Sequence, residues 1–262
     1  MSAENSLFGL GGLTILLTGA TGHLGRALAH GLAHAGARLV VSSRVMASAE
    51  SVADELASPT GARHVATQID HLDHESLQRG FERAVAEVGT LDVLIANGHQ
   101  ASASDWKSVT GDEFSQQLQN ATGYFMLARL LRDHVVSRSS SGSVIFLGSM
   151  YGLVGSYPDA YEGIGPASPV AYHALKGGII QMTRHLAVYW AADKVRVNCL
   201  SPGPFPASSA PDRLVENLAQ HSPMGRMGQA EELVGPAIFL ASNASSYVTG
   251  HNLVVDGGWT AW

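Results

Sequence analysis

A chain of 262 residues with 16 Lys plus Arg against 22 Asp plus Glu, a net charge of −6, offers no basic face to nucleic acid or to an anionic membrane surface. Its one cysteine, Cys199, excludes an internal disulfide, and no apolar run reaches the ~18 residues that a membrane span needs. These bounds leave a globule expected in the cytoplasm, long enough to bury roughly three quarters of its unfolded surface without staples.

Met1–Leu10 lacks the basic start and long apolar core of a secretory signal and reads as a flexible tail ahead of one domain over 11–262. Leu13–Thr18 is expected as the first strand. It runs straight into Gly19-Ala20-Thr21-Gly22-His23-Leu24-Gly25, and a helix over Leu24–Ala35 follows, striped by Leu24, Leu28 and Leu32. Small residues there let the backbone turn sharply and let a pyrophosphate approach, while a helix N-terminus presents free N–H groups and a positive dipole end. In a chain with 29 glycines the trio is weak by itself. Its place between first strand and first helix makes Gly19, Thr21, Gly22, His23, Leu24 and Gly25 candidate dinucleotide contacts.

The second strand, Arg38–Ser42, ends in Ser43 and Arg44 where an acidic residue would bind the 2′-hydroxyl of NAD. A guanidinium pairs instead with the 2′-phosphate of NADP, so NADP is the expected cofactor and NAD the other candidate; Arg44 as a solvated loop residue is the plainer alternative. His64–Gln68 is the third strand. Asp70 beyond it either meets the adenine edge or caps the following helix, Ser76–Val88, and His71 stands beside it facing the same ligand. His71 and His74 among Asp70, Asp73 and Glu75 resemble a metal cluster only superficially, because no second cluster completes four converging ligands; no metal is expected.

Asp92–Ala96 is the fourth strand, and Asn97, Gly98 and His99 follow it. The long helix Glu113–Val136 carries Asn120, a polar residue where a helix former is expected, either facing solvent or serving a site. The Ser-rich turn Ser137–Ser143 is too short to separate domains. The fifth strand, Ser143–Gly148, ends in Ser149, which would project into a site beyond the strand's carboxyl end and donate to a carbonyl oxygen. In the helix Val170–Trp190, Tyr172 and Lys176 stand at i and i+4, on one face and one turn apart. A cation beside a phenol lowers its pKa from ~10 toward the range useful for acid–base work. With seven tyrosines and three lysines in the chain, chance does not favour that spacing. The sixth strand, Val195–Leu200, holds Cys199 as a buried inert thiol; Pro204–Ser222, with a short helix at Pro211–Gln220, is a candidate lid; Asn252–Val255 is the seventh strand. Continuous apolar strands alternating with helices predict a single α/β domain, a Rossmann-like doubly wound parallel sheet of about seven strands.

Together these features resemble the short-chain dehydrogenase/reductase family in its short, single-domain form, from Leu10 to Trp262. The resemblance implies an NADP-preferring oxidoreductase moving a hydride between nicotinamide and a ketone or secondary alcohol. It implies that Tyr172 is the acid/base and that Lys176 tunes it and binds the nicotinamide ribose. Ser149 would orient the substrate oxygen, and Asn120 would anchor a water linking Lys176 to solvent. Leu91–Gly98 looks like the strand-four motif that supports the cofactor, which brings in Asn97 and Gly98. Asn198-Cys199-Leu200-Ser201-Pro202-Gly203 looks like the turn near the nicotinamide, which brings in Pro202, Gly203 and Phe205. Val254–Gly258 matches a C-terminal signature near subunit contacts, and the two long helices imply a homotetramer, with a homodimer as the alternative.

Three departures matter. The glycine spacing Gly19-x-x-Gly22-x-x-Gly25 is closer to the family's longer branch, although the chain lacks that branch's extra C-terminal region. His99 replaces the last glycine of the strand-four motif and is expected in the pocket. Between Ser149 and Tyr172 lie 22 residues, 150–171, a longer stretch than the family usually has. This enlarged loop, with Tyr151, Tyr161, Asp159 and Glu162, either recognises a hydroxyl-rich substrate, sugar-like or a keto acid, through Tyr151 and Tyr161, or is a stiffened surface loop. A 3-oxoacyl-thioester reductase and a non-catalytic NADP-binding regulator are the competing readings.

Overall fold

The computed structural model describes residues 7–101, 104–165 and 168–261. Seven parallel strands form one sheet: β1 (Thr14–Leu17), β2 (Arg38–Ser43), β3 (Val65–Gln68), β4 (Val93–Ala96), β5 (Gly142–Leu147), β6 (Val195–Pro202) and β7 (Asn252–Val255). Their order is β3-β2-β1-β4-β5-β6-β7. Successive side chains point to opposite faces of a strand. Leu16, Leu94, Val144 and Phe146 therefore feed one core layer, while Ile15, Leu17, Val93, Ile95 and Ile145 feed the other. Burial on both faces is why the strands read as unbroken apolar runs.

The helices α1 (His23–His34), α2 (Met46–Glu55), α3 (His74–Val88), α4 (Gly111–Ser137), α5 (Pro158–Tyr161), α6 (Val170–Trp190), α7 (Asp212–Gln220) and α8 (Val234–Ala241) connect them. Leu77 and Phe81 of α3, Leu127 and Leu131 of α4, and Leu175 and Ile179 of α6 cover the first face. Leu28 and Leu32 of α1, Val52 of α2, and Ala237 and Leu240 of α8 cover the second. The short α5 and α7 lie together over a third, smaller cluster holding Met150, Tyr151, Leu218 and Trp259. Strand order reverses between β1 and β4, so a crevice opens beyond their carboxyl ends, where open α/β sheets bind ligands.

The expected strands and long helices fall within a few residues of their observed limits. Three of these helices had no counterpart in the sequence reading: α2, α8 and the four-residue α5. Only Ala49 and Val52 of α2 are buried, too thin an apolar stripe to mark a helix. In α8, Gly235 and Pro236 look like a break, but they sit in the first turn, where a missing N–H removes no helical bond. Residues 1–6 of the expected tail lie outside the described residues; Leu10, its last residue, is fully buried and its N–H donates to the Ala35 carbonyl. Among the described residues, no helix is long and apolar enough to cross a membrane.

Candidate active site

A cavity of about 500 Å³ opens at the reversal of strand order. Its floor is the β1–α1 turn. Gly19 has φ +63°, a left-handed conformation that L side chains rarely adopt. The turn is locked from β4: Asn97 N–H and Gly98 N–H donate to Thr18 Oγ1 at 3.0 Å each, and Asn97 Nδ2 donates to the carbonyls of Thr18 and Gly19. A Cβ on Gly25 would fall onto the Gly19 carbonyl oxygen. Gly25→Ala should therefore weaken NADPH binding by at least tenfold and lower stability by about 1–3 kcal/mol; fluorescence titration and thermal melts check this, and unchanged values would refute the packing argument. Gly22, the N-cap of α1, has no side chain to cap the helix, and His23, Leu24 and Gly25 of the first turn line the cavity. Their backbone N–H groups form the anion site that a pyrophosphate requires.

Ser43 and Arg44 line the same cavity at the end of β2, and Arg44 Nη1 donates to Gln100 Oε1 at 3.1 Å. Asp70 is not among the lining residues. Its Oδ1 accepts Leu72 N–H at 3.0 Å, and the helix cap is Asp73, which accepts the N–H groups of Glu75 and Ser76; the capping reading of Asp70 is thereby corrected. His71, three residues from His74, is buried and turns inward to the cavity, and no group of three or more His, Cys, Asp or Glu among the described residues is arranged to hold a metal. Pro202 and Phe205 line the cavity at the end that a nicotinamide would fill. Gly203 does not: its N–H donates to the Val255 carbonyl and it packs on Asp256.

Tyr172 and Lys176 share one wall of this end. Lys176 is buried between two rings, its Nζ 5.5 Å from the Tyr172 centroid and 5.9 Å from that of Tyr124, and it donates to the Leu147 carbonyl at 2.6 Å. Burial pushes its pKa down to about 8. Burial also pushes the Tyr172 phenol above its ordinary value, while a hydrogen bond from Ser149 works against that rise. The expected lowering of the phenol by Lys176 is therefore not met in this structure: desolvation dominates, and the ammonium is directed at Leu147. Ser149 follows β5, is buried beside the cavity, and accepts Tyr151 N–H at 3.1 Å. Cys199 lies below, fully buried, its thiol raised to about 11 by desolvation.

Asn120 does not face solvent. Its Oδ1 accepts from His71 Nε2 at 2.6 Å and from Gln100 N–H at 2.9 Å, and its Nδ2 donates to the carbonyls of Gln117 and Gln100. His99 lines the cavity with its ring edge-on to Tyr172, centroids 5.3 Å apart, and Gln117 Nε2 donates to its Nε2 at 2.7 Å. Burial, with Lys176 and His71 nearby, pushes His99 down to about 3, so the imidazole is neutral at ordinary pH. Sequence reasoning missed Gln117 and Gln100. Gln117 lies three residues before Asn120, a spacing that puts both on one helix face.

The enlarged loop departs most from expectation. Tyr151 and Tyr161 do not line the cavity: their hydroxyls bond each other at 2.8 Å, and Tyr151 stacks on His173 at 4.6 Å. The two hydroxyls share one hydrogen bond within the loop, the accepting phenol keeping its own O–H, and neither ring lines the cavity. The loop instead docks on the candidate lid. Tyr157 lies flat on His221, 4.0 Å apart and 6° from parallel, both rings pack on buried Trp259, and His221 Nε2 is 3.4 Å from Asp159 Oδ2. Asn217 of α7 donates to the Ala160 carbonyl at 3.3 Å.

The donor set fits a dinucleotide: uncapped helix amides for the pyrophosphate at one end, a guanidinium by the adenosine side, and a phenol and an ammonium at the other. The comparisons with known proteins agree in kind. A family profile described as enoyl-(acyl carrier protein) reductase matches residues 19–260. The chain is 34% identical to galactitol 2-dehydrogenase (L-tagatose-forming) of Cereibacter sphaeroides, over 98% of each chain. It is 33% identical to the NADP-dependent mannitol dehydrogenase of Hypocrea jecorina, over 97% of this chain and 94% of that one. Among solved structures, the gluconate 5-dehydrogenase of Burkholderia cenocepacia in complex with NADP and tartrate superposes with a TM-score of 0.87 at 29% identity, covering 98% of both chains.

Proposed function

The chain belongs to the short-chain dehydrogenase/reductase family, and from that membership we propose that it interconverts a ketone and a secondary alcohol on a small polyhydroxylated substrate, a sugar, sugar alcohol or sugar acid, with NADP favoured over NAD. It is a dehydrogenase/reductase acting on CH–OH and C=O groups, and its cofactor is NAD(P). The observation that carries the reading is the Tyr172–Lys176 pair at one end of a cavity whose other end is the α1 N-terminus and Arg44.

When bound, the nicotinamide supplies or accepts the hydride. Tyr172 then gives its phenolic proton to the oxygen of a ketone being reduced, or takes it from an alcohol being oxidised. Ser149, bonded to that phenol, holds the same substrate oxygen and stabilises charge developing on it. Lys176, its ammonium held on the Leu147 carbonyl 5.5 Å from the Tyr172 ring centroid, would bind the nicotinamide ribose and keep a positive charge near the phenol. Asn120 and His71 brace the pocket from α4 and the β3–α3 turn.

The polyol assignment is supported by the substrates named for the relatives and by the polar wall that His99 provides. Reduction of a carrier-bound 3-oxoacyl thioester asks for a basic entrance, whereas the one basic residue of α7, Arg213, stands in a helix that also carries Asp212 and Glu216. A regulator without turnover has no use for the assembled Tyr172, Lys176 and Ser149. The reading places the enzyme in the cytoplasm as a homotetramer or homodimer, with Leu118 and Val136 of α4 and Val188 and Tyr189 of α6 exposed for pairing.

The test is NADP reduction with galactitol, mannitol and gluconate against cyclohexanol, each repeated with NAD. Turnover of the polyols with NADP preferred is the expected result, and Arg44→Ala should erode that cofactor preference by roughly 10- to 100-fold. A preference for cyclohexanol would overturn the substrate reading, and a preference for NAD would overturn the role of Arg44.

A further inference from the structure

The strand-four segment ends in His99, a side chain that neither the cofactor turn nor the Tyr172–Lys176 pair uses. Three facts define what it can do. It lines the cavity with its ring against the edge of Tyr172, centroids 5.3 Å apart, so it stands beside the phenol that handles the substrate oxygen. Gln117 Nε2 is 2.7 Å from His99 Nε2. An amide nitrogen has no lone pair to accept with, so the ring nitrogen accepts and the proton of the neutral ring sits on Nδ1. Among the described residues, that Nδ1–H has no protein partner. Gln117 is buried on α4, and its main-chain carbonyl accepts from Asn120 Nδ2 at 2.8 Å, which places the side chain on the helix face toward His99.

We propose that His99 is a specificity-determining residue that donates Nδ1–H to a hydroxyl on the carbon next to the reacting carbonyl, so that the site takes α-hydroxy ketones and the corresponding vicinal diols. This rests on the polyhydroxy-ketone reading above and narrows it. The donor is directional and uncharged, because burial beside Lys176 and His71 keeps the ring neutral; it therefore matches a hydroxyl lone pair better than a carboxylate. A substrate lacking that hydroxyl would bury the N–H unpaired, which is how a polar site rejects a deoxy analogue more strongly than an apolar pocket rejects a missing methylene. Gln117 is a positioning residue, holding the tautomer.

The experiment compares NADPH oxidation with a 2-ketohexose and its analogue lacking both hydroxyls next to the carbonyl, and with acetoin and butanone. Wild type, His99→Phe, His99→Asn and Gln117→Leu are each assayed, with NADPH affinity from fluorescence titration alongside. Wild type should favour the hydroxylated member of each pair in kcat/KM. His99→Phe keeps the ring against Tyr172 but removes the donor, and it should lower that preference roughly 10- to 100-fold, by a loss on the hydroxylated member and a gain on the deoxy member, which no longer leaves an N–H unpaired. The NADPH affinity should stay unchanged. His99→Asn, whose Nδ2 lies close to the position of the imidazole Nδ1, should keep the preference, and Gln117→Leu should weaken it. An equal loss on both members in His99→Phe, or a preference that survives it, overturns the assignment of His99 alone. So does weakened NADPH binding with the preference intact, which would put the donor on the cofactor. If wild type oxidises NADPH with none of the four ketones, the polyhydroxy-ketone reading falls, and this inference with it.

Discussion

Tyr172→Phe should lower kcat about a thousandfold in either direction while the NADPH dissociation constant stays within about twofold of wild type. The substitution removes one oxygen. It keeps the ring that packs on His99 and the face that Lys176 approaches at 5.5 Å, so the cavity keeps its shape. Only the group that exchanges a proton with the substrate oxygen is lost, and that exchange occurs in the transition state and not in the binding of the dinucleotide. The check is steady-state kinetics beside fluorescence titration. A variant within about tenfold of wild type would show that Ser149 or a solvent molecule carries the proton, and the assignment of Tyr172 would fail.

Lys176→Met should abolish most activity and also change how stability depends on pH. In the folded chain the ammonium is buried and its pKa stands at about 8, against ~10.4 in an unfolded chain. A folded pKa below the unfolded one means that the unfolded state holds more protons between the two values, so stability rises with pH across that window. Below about pH 8 the penalty for burying the charge is fully present; by about pH 10.4 it is gone. Without cofactor, wild type should therefore gain about 3 kcal/mol relative to Lys176→Met between those limits, on the order of 10 °C in Tm. Cys199 pulls the other way, since burial raises its thiol to about 11; Lys176 works against that rise, so Lys176→Met lifts the thiol further and adds to the gain of wild type over the variant. Parallel Tm-against-pH profiles would show that Lys176 is not held as a buried cation.

The layered fold was legible because its signals are local. Buried parallel strands announce themselves as apolar runs, the β1–α1 glycines sit where the turn needs them, and Tyr172 and Lys176 share a helix face by spacing alone. What stayed hidden depends on partners distant in sequence. Asp70 looked like a cap, but Asp73, three residues on, has the geometry to take both N–H groups. Tyr151 and Tyr161 looked like substrate contacts until the fold brought each to the other and neither to the cavity. The sign of the Tyr172 shift could not be read from spacing, because spacing gives the distance to a charge and not the depth of burial that outweighs it. His99 was visible as an oddity in its motif, whereas its tautomer depends on Gln117, 18 residues downstream.

The flat contact of Tyr157 on His221 reaches beyond packing. It fastens the 150–171 loop to the 204–222 segment, so neither can shift without giving up a ring contact of about 1 kcal/mol. Anyone grafting a new specificity onto this scaffold would have to transplant residues 157–161 and 212–221 as a matched pair, since either one alone would arrive without its counterpart.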